Sequence, residues 1–280
     1  PNPSYPIHPF GAIIAGASLR HMPVSDGHDF MAELERAVQH SVPKPAGLII
    51  CYPSNPTAKV VDLDFYGQVI DFCRYHDIWV ISDLAYAEIY FGDEPPPSIL
   101  QVPGAKDIAV EFTSLSKTYS MPGWRIGFCC GNPLLIEALA RVKSYLDYGA
   151  YTPIQVAATA ALNGPQDCVA EVREMYRERR DTLVDAFSQA GWEVPPPPAS
   201  MFCWAPLPPE IAHVGSMAFA KLALTEAKVA VSPGVGFGEY GEGYVRLGLV
   251  ENRHRIRQAA RNLKSFLASE PERSLALAAA

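Results

Sequence analysis

The chain has 280 residues, of which 49% are hydrophobic, and 23 lysines and arginines stand against 30 aspartates and glutamates. This length and composition indicate an ordinary globular protein of about two domains. The net charge of −7 is spread along the sequence, which argues against nucleic acid or an anionic membrane as the main partner, because both require a concentrated basic surface. No apolar run approaches the roughly 20 residues of a membrane-spanning helix.

The six cysteines and seven histidines follow neither a disulfide pattern nor a metal-binding pattern. No two cysteines have the Cys-X-X-Cys spacing, and a disulfide framework is not expected in a chain of this size. We therefore predict a protein of the reducing cytoplasm. The histidines are scattered, so we predict no bound metal.

In the first half of the chain, apolar runs rich in β-branched residues alternate with helical patterns. A helix is predicted over residues 62–75, and another begins after Asn132-Pro133. This alternation predicts an α/β fold in which helices flank a mostly parallel sheet. The predicted strands are residues 47–52, 78–82, 108–113 and 125–130.

The second half of the chain, from about Thr152, has fewer strands and more helix. It includes a run of prolines at residues 195–198, and residues 271–280 are predicted to lie beyond the last helix without regular structure. We predict a large domain over residues 1–155 and a smaller α+β domain over residues 156–280. In the part of the chain from about Thr152, the predicted helices are residues 153–162, 168–190, 216–228 and 252–267, and the predicted strands are residues 201–204 and 244–249.

A hydroxyl-rich loop follows the third predicted strand. It reads Ser114-Leu115-Ser116-Lys117, and Arg125 opens the next strand. In open α/β sheets, ligands bind beyond the carboxyl ends of the strands. Hydroxyls and a guanidinium at that edge can hold a phosphate, and a lysine can form a Schiff base with an aldehyde cofactor. A solvated lysine in a turn, with the arginine in a salt bridge, is the structural alternative.

Three other polar residues occupy positions that suggest chemistry. Asp83 follows the strand at 78–82 and either caps the next element or pairs with a cationic group of a ligand. Asn55 precedes a proline after the first strand, a pattern that is also typical of a simple turn. Arg246 lies inside an apolar strand, where burial without a partner is costly. It therefore requires either an internal acidic residue or the carboxylate of a substrate.

Together these motifs resemble the class I/II aminotransferases of the fold-type-I pyridoxal-phosphate family, in the same order and through essentially the whole chain. The resemblance implies pyridoxal phosphate as cofactor, carried by Lys117 as an aldimine. It implies that Ser114, Ser116 and Arg125 hold the cofactor phosphate. It also implies that Asp83 pairs with the pyridine nitrogen and keeps it protonated, which makes the ring a better electron sink.

The resemblance assigns the remaining site residues as well. It implies that Tyr86 and Asn55 hydrogen-bond the 3-oxygen of the cofactor and that Tyr5 stacks on its ring. Arg246, together with Asn55, is expected to bind the α-carboxylate of the substrate, because a planar guanidinium can hold both carboxylate oxygens. The family more often has glycine where this chain has Ala58, a departure that we expect to change only the turn.

The detailed motifs are most similar to those of bacterial glutamate–pyruvate (alanine) aminotransferases, which lie near the LL-diaminopimelate and aspartate aminotransferases. We therefore expect a homodimer that exchanges L-alanine and 2-oxoglutarate for pyruvate and L-glutamate by ping-pong kinetics. The resemblance also implies that the large domain is incomplete at its N-terminal side. A ligand-sensing domain of a transcription regulator is the alternative from another class. The segments that carry the closer likeness are residues 53–58, 83–87, 143–145 and 246–257.

Overall fold

The computed structural model describes residues 1–269, and the predicted tail at 271–280 lies outside that range. The helices are α1 (Ile7–Ile14), α2 (Phe30–Gln39), α3 (Leu63–Tyr75), α4 (Leu115–Thr118), α5 (Pro133–Leu146), α6 (Thr152–Asn163), α7 (Asp167–Ser188), α8 (Ser216–Thr225) and α9 (Arg253–Ala268). The strands are β1 (Gly47–Cys51), β2 (Trp79–Asp83), β3 (Ala109–Ser114), β4 (Gly127–Gly131), β5 (Phe202–Pro206), β6 (Ser232–Pro233) and β7 (Tyr244–Gly248). No helix in the described range has the length and apolar sequence needed to cross a lipid bilayer.

The first sheet has four strands in the order β1-β2-β3-β4. The first three strands are parallel, and β4 runs antiparallel to β3. The mostly parallel sheet predicted from the sequence is therefore confirmed, with strand bounds shifted by one or two residues. In the pairing register, Cys51 lies opposite Asp83, and Asp83 lies opposite Phe112. The carboxyl ends of the three parallel strands thus meet at one edge of the sheet.

Helix α3 illustrates how the local sequence favours a helix that packs against the first sheet. Asp62 caps the helix, because its side chain accepts a hydrogen bond from the backbone N–H of Phe65. Tyr66, Val69, Ile70 and Cys73 follow at helical spacing, and all four are buried. They pack with Ile50 and Val80 of the strands in one hydrophobic core, so the local pattern and the tertiary packing agree.

The second sheet lies in the C-terminal half and has the order β5-β7-β6, with antiparallel pairings. Its own hydrophobic core includes Trp192, Phe219 and Leu263. The same core also includes Ile89 and Phe91, which follow β2 in the sequence. The division at residue 155 stays a prediction, since side chains from both sides of it share this core.

Four elements were missing from the sequence prediction: helices α1, α2 and α4 and the short strand β6. Helix α1 has the sequence IHPFGAII and has no buried residue, and its proline and glycine are residues that weaken a helix prediction. Its proline is tolerated because it lies in the first turn, where the backbone N–H has no partner within the helix. Helix α4 is a single turn, too short for a periodic pattern to show.

Candidate active site

Lys117 lies on the short helix that begins directly after β3. The side chain of Ser114 caps this helix, because its Oγ accepts a hydrogen bond from the backbone N–H of Ser116 at 3.2 Å. Burial of the amine and the positive charge of Arg125 lower the pKa of Lys117, while Asp83 partly opposes the shift. A lowered pKa leaves more of the amine neutral and nucleophilic, which is the state that an aldehyde requires.

Arg125 lies beside the start of the same helix. The backbone N–H of Leu115 donates to the carbonyl of Ile126 at 3.3 Å, which brings the two segments together. Arg125 has a left-handed backbone, with φ at 51°, and its Nη1 donates to the carbonyl of Pro122 at 2.9 Å. The ion pairs of residues 1–269 do not include it. Its exposed charge is available to an anion near Ser114 and Ser116.

Asp83 makes two contacts at the end of β2. One carboxylate oxygen accepts a hydrogen bond from the backbone N–H of Ala85 at 3.1 Å. Asp83 therefore does cap the segment that follows β2, but this contact uses only one of its two oxygens. The other oxygen lies 2.9 Å from Nε2 of His8. The sequence did not point to His8, because it lies 75 positions away and no motif links it to Asp83.

The side chains of His8, Cys51 and Asp83 also form a compact trio. Their ligand atoms lie within 4.8 Å of one another, a spacing that a metal ion can bridge. Burial and the neighbouring charge of Asp83 raise the pKa of the Cys51 thiol. Within residues 1–269, the Asp83 carboxylate of this trio is also the group that could pair with a cationic nitrogen of an organic ligand.

Asn55, Tyr86 and Arg246 form a chain of hydrogen bonds. Nη1 of Arg246 donates to Oδ1 of Asn55 at 2.8 Å, and Nδ2 of Asn55 donates to the phenol oxygen of Tyr86 at 3.5 Å. Burial raises the pKa of Tyr86, which keeps its hydroxyl protonated and able to donate. These three residues come from the loop after β1, the loop after β2 and strand β7.

Arg246 is a partly buried cation that has no acidic partner among the described residues 1–269. It takes part in none of the ion pairs found in residues 1–269, so the alternative of an internal carboxylate is not found there. Burial lowers the pKa of Arg246, and the nearby Tyr86 and Tyr5 hydroxyls oppose the shift. A guanidinium in this setting has both charge and donors left for the carboxylate of a ligand.

Tyr5 lies at the rim of the same cluster. It is close enough to Arg246 and Tyr86 to influence both electrostatically, and its ring meets that of His8 edge-on at 5.8 Å. The side chain is 42% exposed. Its exposed position leaves a ring face open to a ligand, while its role in stacking stays a prediction.

Ala58 does more than occupy the turn after Asn55. Its φ of 57° lies in the left-handed region that favours glycine, yet the residue is fully buried. Its methyl group packs with Tyr86 and Phe202. The expectation that this departure changes only the turn is therefore corrected, because the side chain also supports two residues of the site.

The arrangement fits pyridoxal phosphate group by group. The Asp83 carboxylate suits a pyridinium nitrogen, and the hydroxyl of Tyr86 and the amide of Asn55 suit a phenolate oxygen. The Lys117 amine suits an aldehyde, and the unpaired Arg125 suits a phosphate. No group of the cofactor is assigned to the Arg246 guanidinium, which ends the chain of hydrogen bonds through Asn55 to Tyr86.

The family model for "Aminotransferase class I and II" matches residues 1–263. The chain belongs to this family. Class I and II aminotransferases depend on pyridoxal phosphate and act on amino acids and oxo acids, so the predicted family, enzyme class and cofactor are confirmed.

Curated aminotransferases match nearly all of the chain. An aminotransferase named AatC from Rhizobium meliloti is 63% identical over 97% of this chain and 67% of its own length. The glutamate-pyruvate aminotransferase AlaC from Escherichia coli is 55% identical over 96% of this chain and 66% of its own length. An LL-diaminopimelate aminotransferase from Moorella thermoacetica is 43% identical over 95% of this chain and 67% of its own length. The chain thus spans about two thirds of the length of these aminotransferases.

Solved structures agree with the predicted fold class. An aromatic aminotransferase from Pyrococcus horikoshii superposes with a TM-score of 0.90 at 28% identity, over 97% of this chain and 73% of that one. An aspartate aminotransferase variant from Thermus thermophilus superposes with a TM-score of 0.85 at 26% identity, over 95% of this chain and 72% of that one. The fold-type-I aminotransferase architecture expected from the sequence is confirmed.

Proposed function

We propose that this aminotransferase exchanges L-alanine and 2-oxoglutarate for pyruvate and L-glutamate. The observation that carries the proposal is the unpaired Arg246, which is hydrogen-bonded to Asn55 in the same site as Lys117 and Asp83. A free guanidinium there suits the α-carboxylate that all amino acids and 2-oxo acids share. The choice of alanine rests on the 55% identity to a glutamate-pyruvate aminotransferase.

When bound, pyridoxal phosphate supplies an aldehyde that takes up amino groups and a pyridinium ring that withdraws electrons. Asp83 holds the proton on the ring nitrogen, and Ser114, Ser116 and Arg125 hold the phosphate. Arg246 binds the α-carboxylate and thereby fixes the orientation of the amino acid. Lys117, free as an amine, would accept the proton from the α-carbon of the substrate and hand it on, first as base and then as acid.

The proposed assembly is a homodimer in the cytoplasm. Large apolar side chains of α5 and the loop after it are exposed, among them Tyr145 at 78%, Leu146 at 79% and Tyr148 at 92%. Exposed apolar groups that lie together in this way are typical of surfaces that another part of the protein covers. A reducing compartment agrees with the six cysteines, all of which are free thiols in residues 1–269.

The visible absorption spectrum of the holoprotein tests the proposed reaction directly. Adding L-alanine should convert the absorption band of the lysine-bound cofactor into that of the amine form, with one pyruvate released per site. Adding 2-oxoglutarate should then restore the first band. LL-diaminopimelate and L-aspartate are the comparison substrates, because the 43% identity to an LL-diaminopimelate aminotransferase favours that activity as the second candidate. If LL-diaminopimelate converts the absorption band and L-alanine does not, the proposed substrate is contradicted.

Replacing Arg246 with lysine should mainly weaken substrate capture. A lysine keeps the charge but cannot donate to both carboxylate oxygens in a planar fork. A charge-assisted hydrogen bond contributes about 1.5–3 kcal/mol, so we expect the apparent KM for L-alanine to rise about 10- to 100-fold. Cofactor binding should be unchanged and serves as the control. An unchanged KM would show that Arg246 serves only the fold.

A further inference from the structure

The guanidinium of Arg246 is held by two aromatic rings as well as by Asn55. Its Cζ atom lies 5.0 Å from the ring centre of Phe202 and 4.7 Å from that of Phe237, within the distance of a cation–π interaction. Both rings are buried. The hydrogen bond to Asn55 Oδ1 fixes one edge of the guanidinium, and the rings limit its movement out of that position.

The two rings are held in different ways. Phe202 is the first residue of β5 and pairs with Gly248 of β7, the strand that carries Arg246, so the sheet itself fixes its position. Phe237 instead ends the short turn Gly234–Phe237 in the loop between β6 and β7. Its position relative to Arg246 therefore depends on the contacts that hold this loop.

Phe237 meets Trp204 of β5 edge-on at 5.8 Å, and further contacts come from the other end of the chain, through a segment that we call the strap (residues 2–4). The backbone N–H of Ser4 donates to the carbonyl of Phe237 at 2.8 Å. The side-chain oxygen of Asn2 accepts from the backbone N–H of Tyr240 at 3.3 Å. Asn2 is 3% exposed, and its backbone is in turn bonded to Met22 and Val24.

Gly238 shows how closely the strap and the loop approach each other. A Cβ atom at this position would lie 2.1 Å from Oδ1 of Asn2, and the φ of 124° is one that other residues rarely adopt. The loop thus closes onto Asn2 with no room for a side chain. Phe237 and Gly238 are neighbours, so this contact adjoins the residue whose ring lies beside Arg246.

We infer that Phe237 is a positioning residue for the capture of the substrate carboxylate, and that the strap holds its ring against Arg246. The strap leads directly into Tyr5 and His8, and His8 contacts Asp83. One segment therefore links the cofactor-ring end of the site to its carboxylate end. The inference rests on the proposed function, because it takes Arg246 as the residue that binds the α-carboxylate.

The test compares Phe237→Leu, which removes the ring but keeps an apolar side chain, with Phe237→Tyr, which keeps the ring. The holoprotein is titrated with 2-methylalanine, an amino acid that has a carboxylate but no α-hydrogen, and binding is followed in the visible spectrum. A cation–π contact of moderate strength corresponds to about a tenfold change in binding. We expect Kd to rise about tenfold in Phe237→Leu and to stay within about twofold in Phe237→Tyr.

Ethylamine, an amine without a carboxylate, separates positioning from general damage to the site. Its binding should be the same in the wild type and in Phe237→Leu, whereas a merely structural role would weaken the binding of both amines. Asn2→Ala removes the side-chain oxygen that accepts the hydrogen bond from the backbone N–H of Tyr240. It should likewise weaken the binding of 2-methylalanine and leave the binding of ethylamine unchanged. This second variant keeps the inference testable if Phe237→Leu does not fold.

Two results would overturn the inference in distinguishable ways. If the wild type binds 2-methylalanine and Phe237→Leu binds it equally well, the positioning role is refuted and the proposed function stands. If the wild-type holoprotein does not respond to 2-methylalanine or to L-alanine, the proposed function fails, and the role of Phe237 fails with it.

Discussion

Replacing Lys117 with alanine should abolish covalent attachment of the cofactor and lower the rate of amination by L-alanine by about 10²- to 10⁴-fold, the usual contribution of a general acid–base group. The structure supports a large effect, because Lys117 lies close enough to Arg125 and Asp83 for both charges to influence its pKa. The measurement is pyruvate formation in a single turnover, together with peptide mapping after borohydride reduction of the holoprotein.

The matched control for Lys117 is Lys106→Ala. Lys106 is an exposed lysine in the turn before β3, so its removal should change neither the labelling nor the rate. Lys117→Arg should behave like the alanine variant, because arginine keeps the positive charge but does not form the Schiff base. Normal turnover in Lys117→Ala, with the cofactor recovered on another lysine, would show that the site residue has been assigned wrongly.

Replacing Asp83 with asparagine should lower the rate of the same half-reaction by about 10³-fold. Opposite unit charges about 4 Å apart interact by about 4 kcal/mol at the effective dielectric constant of a protein site, and that interaction keeps the pyridine nitrogen protonated. Asparagine has the same shape, and its oxygen can still accept from the backbone N–H of Ala85, as Asp83 does at 3.1 Å. The fold should therefore survive while the charge is lost.

Asp83→Glu is the companion variant, since it keeps the charge and moves it by one methylene group. We expect it to recover part of the rate that the asparagine variant loses. Single-turnover rates and thermal unfolding should be measured on both variants, so that a loss of stability is not taken for a loss of catalysis. A rate for Asp83→Asn within tenfold of the wild type would contradict the role of this carboxylate.

The sequence predicted the cofactor side of the site because that side follows from strand ends. Residues 78–82 and 108–113 read as strands of one parallel sheet, and such strands end at the same edge. Asp83 and the residues after Ser114 each follow such a strand, and the register of β1, β2 and β3 places them at that edge. The family motifs then supplied a chemical role for each residue.

The partners of these residues could not be predicted in the same way. Asn55 and Arg246 meet although 191 positions separate them, and His8 meets Asp83 across 75 positions. Phe237 lies beside Arg246 in a loop that is hydrogen-bonded to Ser4 and Asn2, more than 230 positions away. No periodic pattern encodes such contacts, since each depends on how the loops run after both sheets have formed.

By itself, the sequence predicted the strands of the first sheet and helices such as α3 and α5 from local periodicity, but it missed α1, α2, α4 and β6. The class of cofactor and the lysine expected to carry it came from short motifs, whose residues are neighbours in the chain and resemble those of a known family. Only the tertiary structure decided that Arg246 has Asn55 and two aromatic rings around it and no acidic partner within residues 1–269. The physical reason is that burial and charge pairing depend on everything that surrounds a side chain, and most of those surroundings come from distant parts of the chain.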